Sequence, residues 1–287
     1  MPDAKENKRY QELPKSSAPT DMPVFSDEPK TFQKQKPNGQ PDKNFIRLGI
    51  DGLDSLFAKG IPKGTSVLVA GGPGTGKTLF CLHMLNYAAE KGEKCLYLSF
   101  EESETRLMQH MHDFGWNPEK LAKNGNLMIR RIDPFDISRS MEALLAQAKG
   151  ELLIPVEGLT DFIPKGFRPD RIVIDSITAL TAAFAGKEDS YRSYIEQSFL
   201  YFEKLGATVF LVSESEDAPK KLSPTGVEEF LADGVIIIYN ISKGDVRERS
   251  VEILKMRGSR FEEKRVALQI TDSGIVVYPE QRVFTEI

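Results

Sequence analysis

Two cysteines in 287 residues cannot build a disulfide framework or a cysteine-rich zinc module. No apolar run approaches the ~18 residues of a membrane-spanning helix, and the opening MPDAKENKRY lacks the apolar stretch of a secretory signal. These absences lead us to expect a reduced, cytoplasmic protein with no membrane partner. Neither sign of charge dominates: 38 Lys and Arg against 42 Asp and Glu leave a net −4. A domain built mainly to hold duplex nucleic acid is usually basic, so DNA is a disfavoured partner that only a local patch would restore. What the sequence does have is 40% hydrophobic and 28% charged residues, the balance of a chain that buries a core. Its length allows one large domain or two small ones.

The chain is uneven. Residues 1–44 hold seven of the seventeen prolines, eight Lys/Arg against seven Asp/Glu, and almost no apolar periodicity. Such a segment buries too little surface to offset its ordering entropy, so we expect a flexible polar tail, with a partner-docking arm around Met22–Phe25 as the sharper alternative. From Phe45 the pattern becomes short apolar runs alternating with amphipathic stretches. Strands are expected at Ser66–Ala70, Lys94–Phe100, Leu127–Arg130, Arg171–Asp175, Thr208–Ser213 and Val235–Ile241. Helices are expected at Lys77–Lys91, Ser103–Phe114, Ser138–Ala148, Tyr191–Leu205 and Val227–Leu231. Continuous apolar strands separated by helices imply an α/β fold with a mostly parallel central sheet and helices on both faces. Val251–Arg257, Val266–Thr271 and Gly274–Tyr278 read as C-terminal antiparallel strands joined by tight turns such as Ser242–Asp245. The expected organisation is one domain, 45–287, behind the tail.

Gly71-Gly72-Pro73-Gly74-Thr75-Gly76-Lys77-Thr78 fits G-x-x-x-x-G-K-[ST] between an expected strand and an expected helix, with Leu79 following. Glycines let the backbone curl so that successive N–H groups face phosphate oxygens, and the helix adds the positive end of its dipole. Lys77 supplies a mobile cation for the β- and γ-phosphates, and the Thr78 hydroxyl is a direct ligand for Mg²⁺. The pattern predicts a nucleoside triphosphate site, a P-loop. Arg171–Ser176 is an apolar run ending in a carboxylate, the Walker B pattern, in which Asp175 holds Mg²⁺ through water. Lys94–Phe100 runs straight into Glu101-Glu102. Carboxyl ends of strands surround the ligand crevice of such sheets, so both glutamates are expected near the γ-phosphate, one as general base. Strand alternation gives the two different roles.

These residues, with Ser99–Glu102, Phe114-Gly115-Trp116, Gly226–Phe230, Asp233, Lys255–Gly258 and Thr271–Gly274, resemble the KaiC/RadA branch of the RecA-like ATPases, and the KaiC-like proteins in particular, from about Phe45 to Pro279. The resemblance implies a RecA-like P-loop core, ATP and Mg²⁺ as ligands, ATP hydrolysis, and a homo-oligomeric, usually hexameric, ring with nucleotide between subunits. It places Lys255 and Arg257 of one subunit toward the γ-phosphate held by its neighbour. Residues two apart on a strand share a face, which lets both reach one ligand. It also places Met256, Ser259, Thr271 and Asp272 near that neighbouring nucleotide, and Asp113 near base or ribose.

Departures narrow the reading. The circadian protein that names the family carries two such domains in tandem where this chain carries one. Its autokinase acceptors fall where this chain has Glu229 and Phe230, so autokinase activity there is not expected, although Ser223 and Thr225 lie nearby. The segment 150–169 reads as an insertion, either a surface excursion or a contact for a signalling partner. His83, His110 and His112 form no metal set, and Cys81 and Cys95 read as small core residues. The expected function is a regulatory or signalling ring ATPase. The alternatives are a RadA-like recombinase paralogue binding DNA in repair and a nucleotide-gated scaffold with negligible hydrolysis.

Overall fold

The structure, a computed structural model, describes residues 42–147, 163, 166–215, 222–243, 246–281 and 283. The chain divides after Gln40, and every described residue belongs to the second unit, Pro41–Ile287. Nearly all of the expected tail, most of the 150–169 insertion, the pair Lys220-Lys221, which the sequence offers as a basic loop, and turn residues 244–245 lie outside the described residues.

A two-residue antiparallel pair, β1 (Phe45–Ile46) and β2 (Ile61–Pro62), brackets a 3-10 turn at Leu53–Leu56. The alternating region comes next: β3 (Ser66–Gly71), α1 (Lys77–Glu90), β4 (Cys95–Ser99), α2 (Glu104–Asp113), α3 (Pro118–Lys123), β5 (Leu127–Arg131), α4 (Pro134–Gln147), β6 (Arg171–Asp175), α5 (Ile177–Ala183), α6 (Glu188–Leu205), β7 (Thr208–Glu214) and α7 (Val227–Leu231). Four further strands complete the domain: β8 (Gly234–Lys243), β9 (Val246–Met256), β10 (Arg265–Thr271) and β11 (Gly274–Tyr278). One nine-stranded sheet takes the order β11-β10-β9-β8-β3-β7-β6-β4-β5. Pairing is parallel from β8 through β5 and antiparallel from β8 to β11.

The continuous apolar runs have their cause in this order. Every residue of β3 and β4 is buried, because helices cover both faces of the parallel half. Successive side chains alternate between two cores. Val67 and Val69 join α1, α2, α3 and β9–β11 in one, whereas Leu68 and Ala70 join α5 and α6 in the other. Ile163 and Phe167, from the expected insertion, pack against this second core. Cys81 and Cys95 are free and buried, with burial raising both thiols, Cys95 to about 12.

Most expected elements fall within a few residues of those observed, and the differences have local causes. Helix α4 opens at Pro134, whose fixed φ suits a first turn, rather than at Ser138. Helix α6 gains an acidic first turn, Glu188-Asp189, that favours the positive end of its dipole. Helices α3 and α5 were not expected, although each carries its own start signal. Asn117 caps Lys120 N–H ahead of Pro118, and Ser176 caps Ala179 N–H.

The far end of the parallel half is tied by one buried guanidinium. Arg171, 1% exposed, donates to both Glu93 oxygens at 2.7 and 2.8 Å and to the Arg47 carbonyl at 2.8 Å. Glu93→Ala leaves that cation buried without its anion, and denaturant unfolding is expected to show a loss of about 3–5 kcal/mol. A loss below about 1 kcal/mol would mean that water replaces the carboxylate freely.

Candidate functional site

The carboxyl ends of β3, β4, β6 and β7 converge, because parallel register sets Gly71 beside Glu214 and Ser99 beside Asp175. Gly71 through Thr78 turn between β3 and α1. A Cβ on Gly71 would stand 2.3 Å from the Ile238 carbonyl, so only glycine lets the chain leave the sheet here. Gly76 caps α1 at φ 103°, a left-handed geometry that glycine adopts without strain. The buried Thr75 hydroxyl donates to the Gly72 carbonyl at 2.9 Å and pins the loop. Pro73 and Gly74 are exposed at its tip, and half-buried Leu79 packs into the first core.

Lys77 is 8% exposed, and its ammonium donates to the Gly71 and Gly72 carbonyls, each at 2.9 Å. Burial lowers its pKa, opposed by the charges of Glu214, Asp175 and Glu101. Three strand ends thus supply carboxylates around one cation. Asp175 Oδ2 accepts from Thr78 Oγ1 at 2.8 Å and from the Tyr97 hydroxyl at 2.5 Å. Burial raises its carboxyl, whereas those two hydrogen bonds favour the anion. The Thr78 hydroxyl and the Asp175 carboxylate are hard oxygen donors held side by side, which fits the octahedral oxygen preference of Mg²⁺.

The two glutamates part company. Glu101 Oε1 accepts from Ser176 Oγ at 2.6 Å, next to Asp175. Glu102, expected with Glu101 as a catalytic group, faces α2 instead: its Oε2 meets Arg106 Nε at 3.1 Å and His110 Nε2 at 3.0 Å. Both main-chain N–H groups are held by the Ser99 hydroxyl, so the turn that fixes Glu101 inward directs Glu102 outward. Of the other histidines, His112 meets Glu119 Oε1 and His83 Nδ1 accepts from Ile275 N–H.

Lys255 and Arg257 stand elsewhere. Val67 pairs with Gly234, Gly71 with Ile238, and Gly234 with Met256. The cations therefore lie at the opposite end of β3 from the P-loop, about 13 Å away along the strand. Lys255 Nζ donates to the carbonyls of Glu229, Phe230 and Ala232 at 3.2, 3.3 and 2.6 Å. Arg257 pairs with Asp233 Oδ1 at 3.3 Å and reaches the Phe230 carbonyl at 3.4 Å. Met256 is buried against Gly234, and the Ser259 hydroxyl donates to the Gly60 carbonyl at 2.6 Å. Thr271 and Asp272 are on the other side. A Cβ on Gly76 would lie 3.2 Å from Ile270 Cδ1, and one on Gly274 would strike His83 of α1, so the β10–β11 turn adjoins the chain's own P-loop helix. Asp113 ends α2, accepting from Gln109 at 2.9 Å; Trp116, just beyond, packs on His83 with ring centroids 5.1 Å apart.

Four more side chains adjoin these residues. Tyr97 sits in an apolar run and gains its role from the β4–β6 pairing alone. Ser176 is visible in sequence only as a cap. Glu214 ends an apolar run as Asp175 does, and that shared signature would have found it. Arg249 donates from β9 to the Gly74 carbonyl at 3.3 Å. Its Nε and the Oδ1 of its cross-strand neighbour Asn240 are buried without a hydrogen-bond partner.

Tyr97→Phe removes one of the two hydroxyls on Asp175. A hydrogen bond to a charged group contributes about 1.5–3 kcal/mol, so thermal unfolding should show a loss of that size. An unchanged midpoint would mean that Asp175 finds another donor.

The comparisons with known proteins agree with this architecture. A sequence model for the KaiC ATPase family matches residues 46–282. The circadian clock oscillator protein KaiC of Synechococcus elongatus is 32% identical over 82% of this chain, which spans 44% of that protein's length. A UPF0273 protein of Thermotoga maritima is also 32% identical over 82% of the chain, here covering 96% of the relative. Among solved structures, a KaiC-like protein from the archaeon Pyrococcus horikoshii superposes with a TM-score of 0.66 at 33% identity, over 82% of this chain and 99% of that one. The strand–loop–helix phosphate cradle, the carboxylates at neighbouring strand ends and these matches identify the chain as a RecA-like protein of the KaiC family of ATPases.

Proposed function

We propose that residues 45–287 form a cytoplasmic, Mg²⁺-dependent ATPase domain that acts in a ring, with each nucleotide between two subunits, and that its turnover serves regulation or signalling. The observation that carries the reading is the separation, along β3, of the P-loop from Lys255 and Arg257. Two cations of the type that neutralise phosphoryl charge stand about 13 Å along the sheet from their own P-loop, a distance that a neighbouring copy would bridge.

In this reading, Gly72 through Thr78 cradle the phosphates, and Lys77 exchanges its carbonyl partners for phosphate oxygens. Thr78 would hold Mg²⁺ directly and Asp175 through water; the metal, when bound, supplies positive charge to the β- and γ-phosphates. Glu101 takes the proton of the attacking water, oriented by Ser176. Glu102 holds the start of α2 through Arg106 and His110. Lys255 and Arg257 arrive from the neighbour and meet the charge that develops on the transferred group. Arg249 adds a cation from the same chain at the loop tip. Thr271 and Asp272 adjoin the chain's own α1, so we assign them, with Asp113, to the base end of the nucleotide bound in the same subunit rather than the neighbour's. Met256 and Ser259 have partners within their own chain, and their part is to support the strand end that carries Arg257.

Glu101→Gln should lower phosphate release by about 10²–10⁴-fold while ATP binding stays within a few-fold, as loss of a general base requires. Undiminished turnover would remove Glu101 from that role. The same assay with duplex and single-stranded DNA should show no stimulation; stimulation lost steeply with added salt would favour the recombinase alternative.

A further inference from the structure

Glu228 is fully buried in α7, and its hydrogen bonds come from neutral hydroxyls. Tyr191 of α6 donates to Oε1, and Thr225 donates to Oε2 at 2.7 Å. Burial, together with the Glu228 charge, pushes the Tyr191 phenol up, so that it remains a donor at neutral pH. The Tyr191 ring packs edge-on against Phe184, which ends α5, at 5.8 Å between centroids. This cluster lies outside the ATP site and has no part in the chemistry described above.

Helix α7 has five residues, too few to hold a helical conformation without tertiary contacts. Its inner surface is fixed by Glu228, and its last carbonyls are the acceptors for Lys255 and Arg257. A rotation of α7 about its axis would carry those carbonyls, and the two cations, away from their present places. We propose that Tyr191 and Glu228 are a positioning pair for the transition-state cations: they lock α7, and α7 sets where Lys255 and Arg257 stand for the neighbouring subunit. This rests on the assignment of those cations to a neighbour's nucleotide. A purely structural carboxylate would stabilise the fold equally well, so the test must read which half of the interface is damaged.

The full chain is used throughout. Tyr191→Phe keeps the ring and its packing on Phe184 and removes only the donor; Glu228→Gln keeps the size and removes the charge. Each alone should lose at least about tenfold in kcat with little change in the KM for ATP, because a displacement near 1 Å is enough to cost that much. Each is then mixed, before ATP is added, with Lys77→Ala subunits, whose P-loop is dead but whose Lys255 and Arg257 are in place. Mixed rings join an intact P-loop to an intact pair of cations, so phosphate release should exceed the sum of the two separate rates. Arg257→Ala mixed with Lys77→Ala is the control for the underlying assignment. Failure of that control overturns the neighbour assignment itself. Success of the control with no gain for Tyr191→Phe or Glu228→Gln overturns the positioning role, because damage would then have passed through α5 to the chain's own Ser176 and Glu101. Wild-type turnover by both variants alone overturns it as well. Should Glu228→Gln not fold, Tyr191→Phe decides the matter.

Discussion

A lysine ammonium buried at the carboxyl end of a strand is the constraint around which this domain is arranged. Lys77 is almost without solvent, and burial alone would push it toward neutrality. It is kept compatible with charge by two main-chain carbonyls and by the nearby charges of Glu214, Asp175 and Glu101. Those carboxylates arrive together only because β7, β6 and β4 lie in parallel beside β3 and end at the same level. Parallel pairing requires crossover helices, and the helices in turn bury both faces of the strands. The sheet order therefore brings the polar strand ends to Lys77, and burial on both faces accounts for the apolar strands that carry them.

The same sheet holds the P-loop and the Lys255–Arg257 pair apart. The P-loop leaves β3 at one end, and the sharp change from parallel to antiparallel pairing at β8 and β9 returns Lys255 and Arg257 to the other. There they rest on the carbonyls of α7 and of Ala232 just beyond it, and on Asp233, whose own carboxylate accepts from Ser66 N–H at the start of β3. The two ends are joined within one chain by β3 itself, a strand buried along its whole length. A protein interior is densely packed, so such a strand transmits displacement rather than absorbing it. In the proposed function, a subunit that binds nucleotide at one end and offers cations at the other would be one unit in a closed ring of head-to-tail contacts.

Much of this was legible in the residues, for reasons that can be named. The P-loop is a local motif, complete within eight positions, and needs only a strand before it and a helix after it. Asp175 was visible because an apolar run ending in a carboxylate gains meaning in a chain that also carries a P-loop. The helices on both faces followed from apolar runs that only a two-sided burial explains. What the sequence concealed depends on register. Tyr97 reads as one more apolar strand residue until β4 is laid beside β6. Glu101 and Glu102 look alike in sequence, and one serine, Ser99, turns them to different partners. Thr271 and Asp272 look equivalent to Lys255 and Arg257, since both groups end C-terminal strands, yet the hairpin carries the former to α1 and the latter to α7. The short helices α3 and α5 have too few residues to show a period, although their caps were in plain view.

In the proposed function a complete catalytic site needs two subunits. The most direct measurement is specific ATPase activity, per subunit, across a dilution series in Mg²⁺ and ATP, with light scattering read on the same samples. Activity per subunit should fall in parallel with the loss of the assembled species and approach zero where only monomers scatter. Constant specific activity through a range in which the protein is monomeric would mean that one subunit holds a complete site.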